Sequence, residues 1–280
     1  MEKVGVVGAG TMGAGIAQTF ATAGFDVTMV DVAAPQLERG MKTIRSSLAK
    51  LEEKMKLPGA PAAILSRITT ATDLSALRDA SLVVEAAFED PTVKAELFAK
   101  LDALTKKDVI LASNTSSISI DSLASRTSRP ERVAGMHFMN PVPIMTLVEV
   151  VRGARTSDET LGAIVDLAKR LGKTPVVSAD RPGFIANRIL MPMINEAFFA
   201  LEEKIGTALD IDLVMTLGMN HPIGPLKLAD LIGLDVCLAV IEVLQRDLAD
   251  EKYRPAAVLK ELVAAGRLGR KTGRGVYDYA

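Results

Sequence analysis

An apolar run, Val4-Gly5-Val6-Val7, leads directly into Gly8-Ala9-Gly10-Thr11-Met12-Gly13, and a later apolar run, Val27-Thr28-Met29-Val30, ends on Asp31. A G-x-G-x-x-G between a strand and a helix, with an acid at the tip of the next strand, is the context in which a dinucleotide is bound. Gly8 permits the tight turn, Gly10 lets the backbone approach a pyrophosphate, and Gly13 lets the helix pack closely on the strand. The free N–H groups of the helix start, at Thr11, Met12 and Gly13, then hold the phosphates. Asp31 would accept hydrogen bonds from the adenosine ribose hydroxyls. Its charge, with no arginine in Val32-Ala33-Ala34, favours NAD over NADP, although Arg39 further along the next helix could still reach a phosphate there.

Taking a hydride from an alcohol leaves a proton behind, so such a site needs a base and groups that hold the oxygen. The chain has 2 histidines, His137 and His221. His137 follows the apolar run Val133–Met136, at the carboxyl end where doubly wound sheets bind ligands. Glu149 stands alone inside Leu147-Val148-Glu149-Val150-Val151, where a carboxylate is costly unless paired, and an imidazole is its natural partner. His137 is then either an acid/base oriented by Glu149 or a core histidine satisfied by backbone. Asn114-Thr115-Ser116-Ser117 closes another apolar run, Val109–Ser113, and either bonds cofactor and substrate oxygens or serves as a helix N-cap before Ile118–Leu123. Asn187 lies early in a later helix and could face a cleft between domains. His221, in a turn-rich loop, reads as structural.

These residues need a scaffold. Up to about residue 180, β-rich runs at Val4–Val7, Val27–Val30, Ile68–Ala71, Leu82–Ala86, Val109–Ser113, Val133–Met136, Leu147–Val151 and Thr174–Val177 alternate with helical stretches such as 35–56, 91–104 and 158–171. This pattern predicts an α/β, doubly wound, Rossmann-type and mostly parallel sheet over residues 1–183. Residues 184–280 show helical periodicity, broken at Gly206, Gly218, Pro222-Ile223-Gly224-Pro225 and Pro255, and predict a second, all-helical domain of four or five helices. Its apolar faces exceed what one small bundle needs, so a homodimer through this domain is expected.

Composition narrows the function further. With 33 basic and 34 acidic residues and a net charge of −1, no face or tail suits nucleic acid. The chain lacks an apolar stretch of the ~18 residues that span a membrane, so no membrane partner is expected. The single Cys237 sits in an apolar run and reads as a core residue, fitting a reducing, cytoplasmic setting. The chemistry invokes no metal.

The glycine motif, Ala112-Ser113-Asn114-Thr115-Ser116-Ser117, His137-Phe138-Met139-Asn140-Pro141 and Arg181-Pro182-Gly183-Phe184-Ile185-Ala186-Asn187-Arg188 together closely resemble short-chain L-3-hydroxyacyl-CoA dehydrogenases, with the bacterial 3-hydroxybutyryl-CoA dehydrogenases nearest. Asn220-His221-Pro222-Ile223-Gly224-Pro225 and the terminal Gly273-Arg274-Gly275-Val276-Tyr277-Asp278-Tyr279 extend the resemblance over essentially the whole chain. It implies NAD-dependent, reversible oxidation of (S)-3-hydroxyacyl-CoA, with acetoacetyl-CoA and 3-hydroxybutyryl-CoA as the expected pair. By position it makes His137 the acid/base and Glu149 its partner. Ser116 and Asn187 become the groups that bond substrate oxygens, and Asn140 helps shape the site. Glu89, Lys94 and Asn114 match positions near the ribose and nicotinamide. Lys50 and Lys54, four apart on one face of helix 35–56, could meet CoA phosphates or belong to a solvated face with Glu53. The rival readings are a dehydrogenase of free hydroxy acids such as L-gulonate, which needs no CoA-binding lysines, and a non-catalytic, crystallin-like NAD-binding protein.

Overall fold

Runs of valine, leucine and isoleucine without polar alternation form strands buried on both faces. That is how the first part of the chain folds in the computed structural model, which describes residues 3–279. The chain divides into two units, Met1–Arg181 and Pro182–Ala280. The first runs β1 (Lys3–Val7), α1 (Thr11–Thr22), β2 (Asp26–Val30), α2 (Ala34–Glu53), α3 (Pro61–Leu65), β3 (Ile68–Ala71), β4 (Leu82–Glu85), α4 (Pro91–Leu104), β5 (Ile110–Ser113), α5 (Ile120–Ala124), β6 (Val133–Phe138), β7 (Leu147–Arg152), α6 (Asp158–Arg170) and β8 (Thr174–Ala179). Among the described residues the strands form one 8-stranded sheet in the order β3-β2-β1-β4-β5-β6-β7-β8. All eight β-rich runs are strands of this sheet. The order reverses between β1 and β4, the switch point at which open sheets of this kind bind ligands.

One pairing departs from the parallel pattern. β6 and β7 run antiparallel, with His137 directly opposite Glu149. The reason is the connection: residues 139–146 contain no helix, and a short link returns a strand antiparallel, whereas a parallel neighbour needs a long crossover. β6 also continues past Met136, so His137 lies within the strand rather than after it.

Helix 35–56 is likewise shorter than its sequence pattern. It ends at Glu53 with Lys54 as C-cap, and Met55 adopts a left-handed φ of 54° that stops the helix. Lys50 is therefore helical, while Lys54 lies in the terminating turn.

The second unit contains α7 (Ala186–Glu202), α8 (Ala208–Leu213), a π-helical turn at Val214–Gly218, α9 (Pro225–Ile232), α10 (Leu234–Leu248) and α11 (Ala257–Ala264). Phe198, Leu226, Cys237, Ile241 and Leu244 form part of its core. Burial pushes the Cys237 thiol up to about 12, so it stays protonated and serves as a small apolar residue. Two buried aspartates organise the polar backbone. Asp212 accepts from the N–H groups of Leu226 and Lys227 at the start of α9, and Asp230 accepts from those of Val276 and Tyr277 and from the Tyr279 hydroxyl. The terminal segment is thus clasped to α9 through charge-assisted bonds. No helix among the described residues is long and apolar enough to cross a membrane.

Candidate active site

The glycine loop joins β1 to α1 and carries the geometry its residue types require. Gly8 has φ +100°, and a Cβ there would lie 2.4 Å from the Ala86 carbonyl oxygen. A Cβ on Gly13 would lie 1.9 Å from the Gly8 carbonyl oxygen, so the helix meets the loop with only hydrogen at that position. Over Gly10 the nearest atom to such a Cβ is the Gln36 amide at 3.8 Å, which leaves that face of the loop open. Thr11, Met12 and Gly13 supply the first-turn N–H groups that helix geometry leaves without intrahelical acceptors. Asp31 directly follows β2 beside them: one carboxylate oxygen accepts from the Ala9 N–H at 2.9 Å and the other from the Ala33 N–H at 3.0 Å. The aspartate thus shapes the loop, and each oxygen keeps a second lone pair for another donor. Arg39 turns to the Gln36 side chain, which in turn reaches the Ala9 carbonyl. An open, positively polarised loop flanked by an acid fits the pyrophosphate and ribose of a dinucleotide.

At the far side of the switch point the polar residues converge. Directly opposed residues of an antiparallel pair share a face, and His137 Nδ1 lies 3.0 Å from Glu149 Oε2. Both side chains are buried. The other ring nitrogen, Nε2, is 3.0 Å from Ser116 Oγ. With Nδ1–H donating to Glu149, Nε2 is the acceptor of the neutral ring. The Asn114–Ser117 cluster divides its work. Thr115 accepts from the Ser117 and Ile118 N–H groups in a turn, but it is not the expected helix cap: α5 begins at Ile120 and Ser119 caps it by accepting the Ser122 N–H, while Ser116 meets the histidine. Asn114 uses its carbonyl oxygen to accept the Phe138 N–H at 2.9 Å, which ties β5 to β6 beside His137.

Glu89 and Lys94 belong to the same polar edge. The Lys94 ammonium, buried, lies 3.1 Å from Glu89 and 2.6 Å from Glu85, a residue that sequence reasoning passed over. The signal was present: Glu85 is a lone carboxylate ending the apolar run Leu82-Val83-Val84, the same anomaly that singles out Glu149. Glu89 accepts from the Ser116 N–H at 2.9 Å and from the Thr115 hydroxyl. Burial raises the Glu89 carboxyl, but the Lys94 charge and the hydrogen bonds from Thr115 and Ser116 outweigh it and hold the group below its ordinary range.

A cavity of about 1030 Å³ opens in the first unit beside the β6–β7 link. Thr11, Gly15 and Gln18 of α1, Lys50 and Lys54 at the end of α2, and Asn140 to Ile144 line it. Its walls carry six basic side chains, Lys42, Lys50, Lys54, Lys56, Arg170 and Lys173, and no acidic one. Glu53, the acid expected on a shared solvated face, is not among the lining residues. Lys173 is buried, donates to the carbonyls of Val142 and Met145 at 2.7 Å each, and is held below the ordinary lysine range by desolvation. Asn187 belongs to the second unit, buried in the first turn of α7.

Residues 3–181 match the 3-hydroxyacyl-CoA dehydrogenase NAD-binding domain and residues 183–279 match the C-terminal domain of the same family. The chain belongs to the 3-hydroxyacyl-CoA dehydrogenase family. NAD is its cofactor. It is 54% identical to a probable 3-hydroxybutyryl-CoA dehydrogenase of Deinococcus radiodurans, over 99% of this chain and 100% of that protein. A probable 3-hydroxybutyryl-CoA dehydrogenase of Bacillus subtilis is 50% identical over 100% of this chain and 98% of its own length. The crystal structure of (S)-3-hydroxybutyryl-CoA dehydrogenase from Ralstonia eutropha superposes with a TM-score of 0.96 at 53% identity, covering 100% of this chain and 99% of that one.

The lowered Glu89 value has a consequence for stability. Above about 4.5, the ordinary glutamate value, the stabilisation from its partners is complete, and it is lost as the pH falls through the lower folded value. The stability difference between wild type and Glu89→Gln, measured by urea unfolding, is therefore expected to be largest near neutrality and to shrink towards pH 3. A difference that stays constant would show that the charged form is not what stabilises the fold.

Proposed function

We propose that the chain catalyses reversible, NAD-dependent oxidation of (S)-3-hydroxybutyryl-CoA to acetoacetyl-CoA. The observation that carries this reading is the continuous contact line Ser116–His137–Glu149 in the unit that holds the glycine loop and the cationic cavity. When bound, NAD would supply the hydride acceptor for C3 of the acyl chain, and its reduced form the hydride donor in the reverse direction. Gly8, Gly10, Thr11, Met12, Gly13 and Asp31 hold the adenosine and pyrophosphate end, with Glu89, Lys94 and Asn114 towards the ribose and nicotinamide.

In oxidation, neutral His137 accepts the hydroxyl proton at Nε2, and Glu149, at Nδ1, fixes the tautomer and stabilises the imidazolium that results. In reduction the same nitrogen returns the proton. Ser116 donates a hydrogen bond to the substrate oxygen, and Asn140 shapes the wall of the cavity. Such an arrangement is needed for proton transfer and is superfluous in a protein that only binds NAD.

The cavity supports a CoA ester over a free hydroxy acid. A small monoanion requires one cation, whereas six basic groups without a carboxylate suit a large polyanion. Lys50 and Lys54 would meet its phosphates. The lone buried Cys237 is in keeping with a reducing, cytoplasmic setting. A homodimer through the second unit draws support from the exposed apolar side chains of Leu209, Leu213, Val214 and Leu217, the last 81% exposed. Sedimentation is expected to give a mass of two chains, and a mass of one would remove the dimer.

NADH consumption by the purified protein is expected with acetoacetyl-CoA and not with free acetoacetate, nor NAD reduction with L-gulonate. Turnover of a free acid alone would transfer the assignment to that substrate class. Replacing Lys50 and Lys54 by Ala is expected to raise KM for acetoacetyl-CoA about tenfold at low salt, with a smaller effect at high salt where surface charges are screened. His137→Gln should lower kcat about 10²–10⁴-fold with NADH affinity nearly intact. The wild-type pH optimum for reduction should lie below that for oxidation, because the histidine must be charged in one direction and neutral in the other. Coincident optima would count against the role of His137.

A further inference from the structure

Glu85 has no part in the chemistry above, yet it is buried at the carboxyl end of β4, with a side-chain exposure of 0%. An uncompensated carboxylate in the middle of a sheet is costly to bury, so its partners show what it is retained to do. One oxygen, Oε1, lies 2.6 Å from the Lys94 ammonium and accepts the Ala87 N–H at 2.6 Å. The other, Oε2, accepts the Ser113 hydroxyl at 2.6 Å. From these contacts two routes lead to the same place. Along the first, Lys94 holds Glu89, and Glu89 accepts the Ser116 N–H. Along the second, the Ser113 oxygen accepts the Thr115 N–H at 3.2 Å, next to Ser116.

We propose that Glu85 is a positioning residue for the dehydrogenase reaction: by holding Lys94 and Ser113 it fixes the 115–116 backbone, and so sets Ser116 Oγ opposite His137 Nε2. It touches no reacting atom. This inference rests on the function proposed above, and it adds a residue at which the catalytic geometry can be altered without touching Ser116, His137 or Glu149. Both routes end on backbone N–H groups, which have less freedom than a serine side chain alone. The hydroxyl position is therefore set by the β4–β5 edge, while the imidazole position is set by the β6–β7 register.

The test is a double-mutant cycle on Glu85→Gln and Ser116→Ala, with kcat measured at saturating acetoacetyl-CoA and NADH. Displacing a catalytic group by about 1 Å can cost on the order of 10²-fold. Glu85→Gln is expected to lower kcat about tenfold or more, with KM for acetoacetyl-CoA changed less than about threefold. In the Ser116→Ala background the same substitution should change kcat less than about twofold, because the group it positions is already gone. Equal losses in both backgrounds would mark Glu85 as a residue of general structural importance and overturn the inference. A loss confined to NADH affinity, read by fluorescence titration, with kcat unchanged at saturation, would also overturn it. Thermal unfolding establishes that each variant is folded. Should Glu85→Gln not fold, Ser113→Ala removes one route alone, and its severalfold loss in kcat should vanish in the Ser116→Ala background; an undiminished loss there would overturn the inference. Absence of wild-type turnover would overturn the proposed function and this inference with it, whereas additive losses in an active enzyme overturn this inference alone.

Discussion

Lys94 is shared between Glu85 and Glu89, and the carboxyl edge of the sheet depends on that sharing. Glu85, fully buried, would be expensive to draw out of water on its own, but with Lys94, Ser113 and Ala87 both its oxygens find donors. Glu89, half-exposed, holds the other side of the lysine and accepts from Thr115 and Ser116. A charged network of this kind confers definition more than stability. It leaves the loop after β5 few alternatives, so the serine that meets the histidine is held by the same bonds that make the burial tolerable.

Glu149 obeys the same constraint by a different device. Its partner is a neighbour on the adjacent strand, supplied by antiparallel register instead of a network. The site is thus assembled from two halves, a serine held by β4, β5 and α4 and a histidine–glutamate pair held by β6 and β7, joined by the Asn114–Phe138 hydrogen bond. The glycine loop is a third piece, shaped by Asp31 through the Ala9 N–H.

Much of this was legible in the chain itself. Apolar runs located β1, β4, β5, β6 and β7, because burial on both faces leaves no alternation to confuse with a helix, whereas the edge strands β3 and β8 are largely exposed and were read from their β-rich residue types. The glycine motif and Asp31 were legible since each glycine answers a steric demand at one position. Glu149 was legible as a charge out of place. Glu85, inside the run Leu82–Ala86, carried the same signal and went unread because its partner Lys94 stands on a helix, where a lysine passes for a solvated residue. The antiparallel turn of β7 was hidden for another reason: strand periodicity says nothing of direction, and only the lack of a helix across 139–146 bears on it. The early stop of α2 rests on Met55 taking a left-handed conformation, which that residue type does not announce. The cationic cavity was visible as Lys50 and Lys54 only: Lys42 and Lys56 lie close by in the chain and went unread, while Arg170 and Lys173 come from a stretch far away in sequence.

The antiparallel register of β6 and β7 also limits how this fold can change its length. Side chains alternate faces along a strand, so removing or adding one residue between Leu147 and Glu149 would turn the glutamate away from His137 and present Val148 or Val150 in its place. A change of two residues would restore the face. Insertions in the 139–146 link can be absorbed by the loop in any number, but within the strand only even steps preserve the pair. Length variation among related chains should therefore accumulate in the link, and any that enters the strand should obey a parity rule.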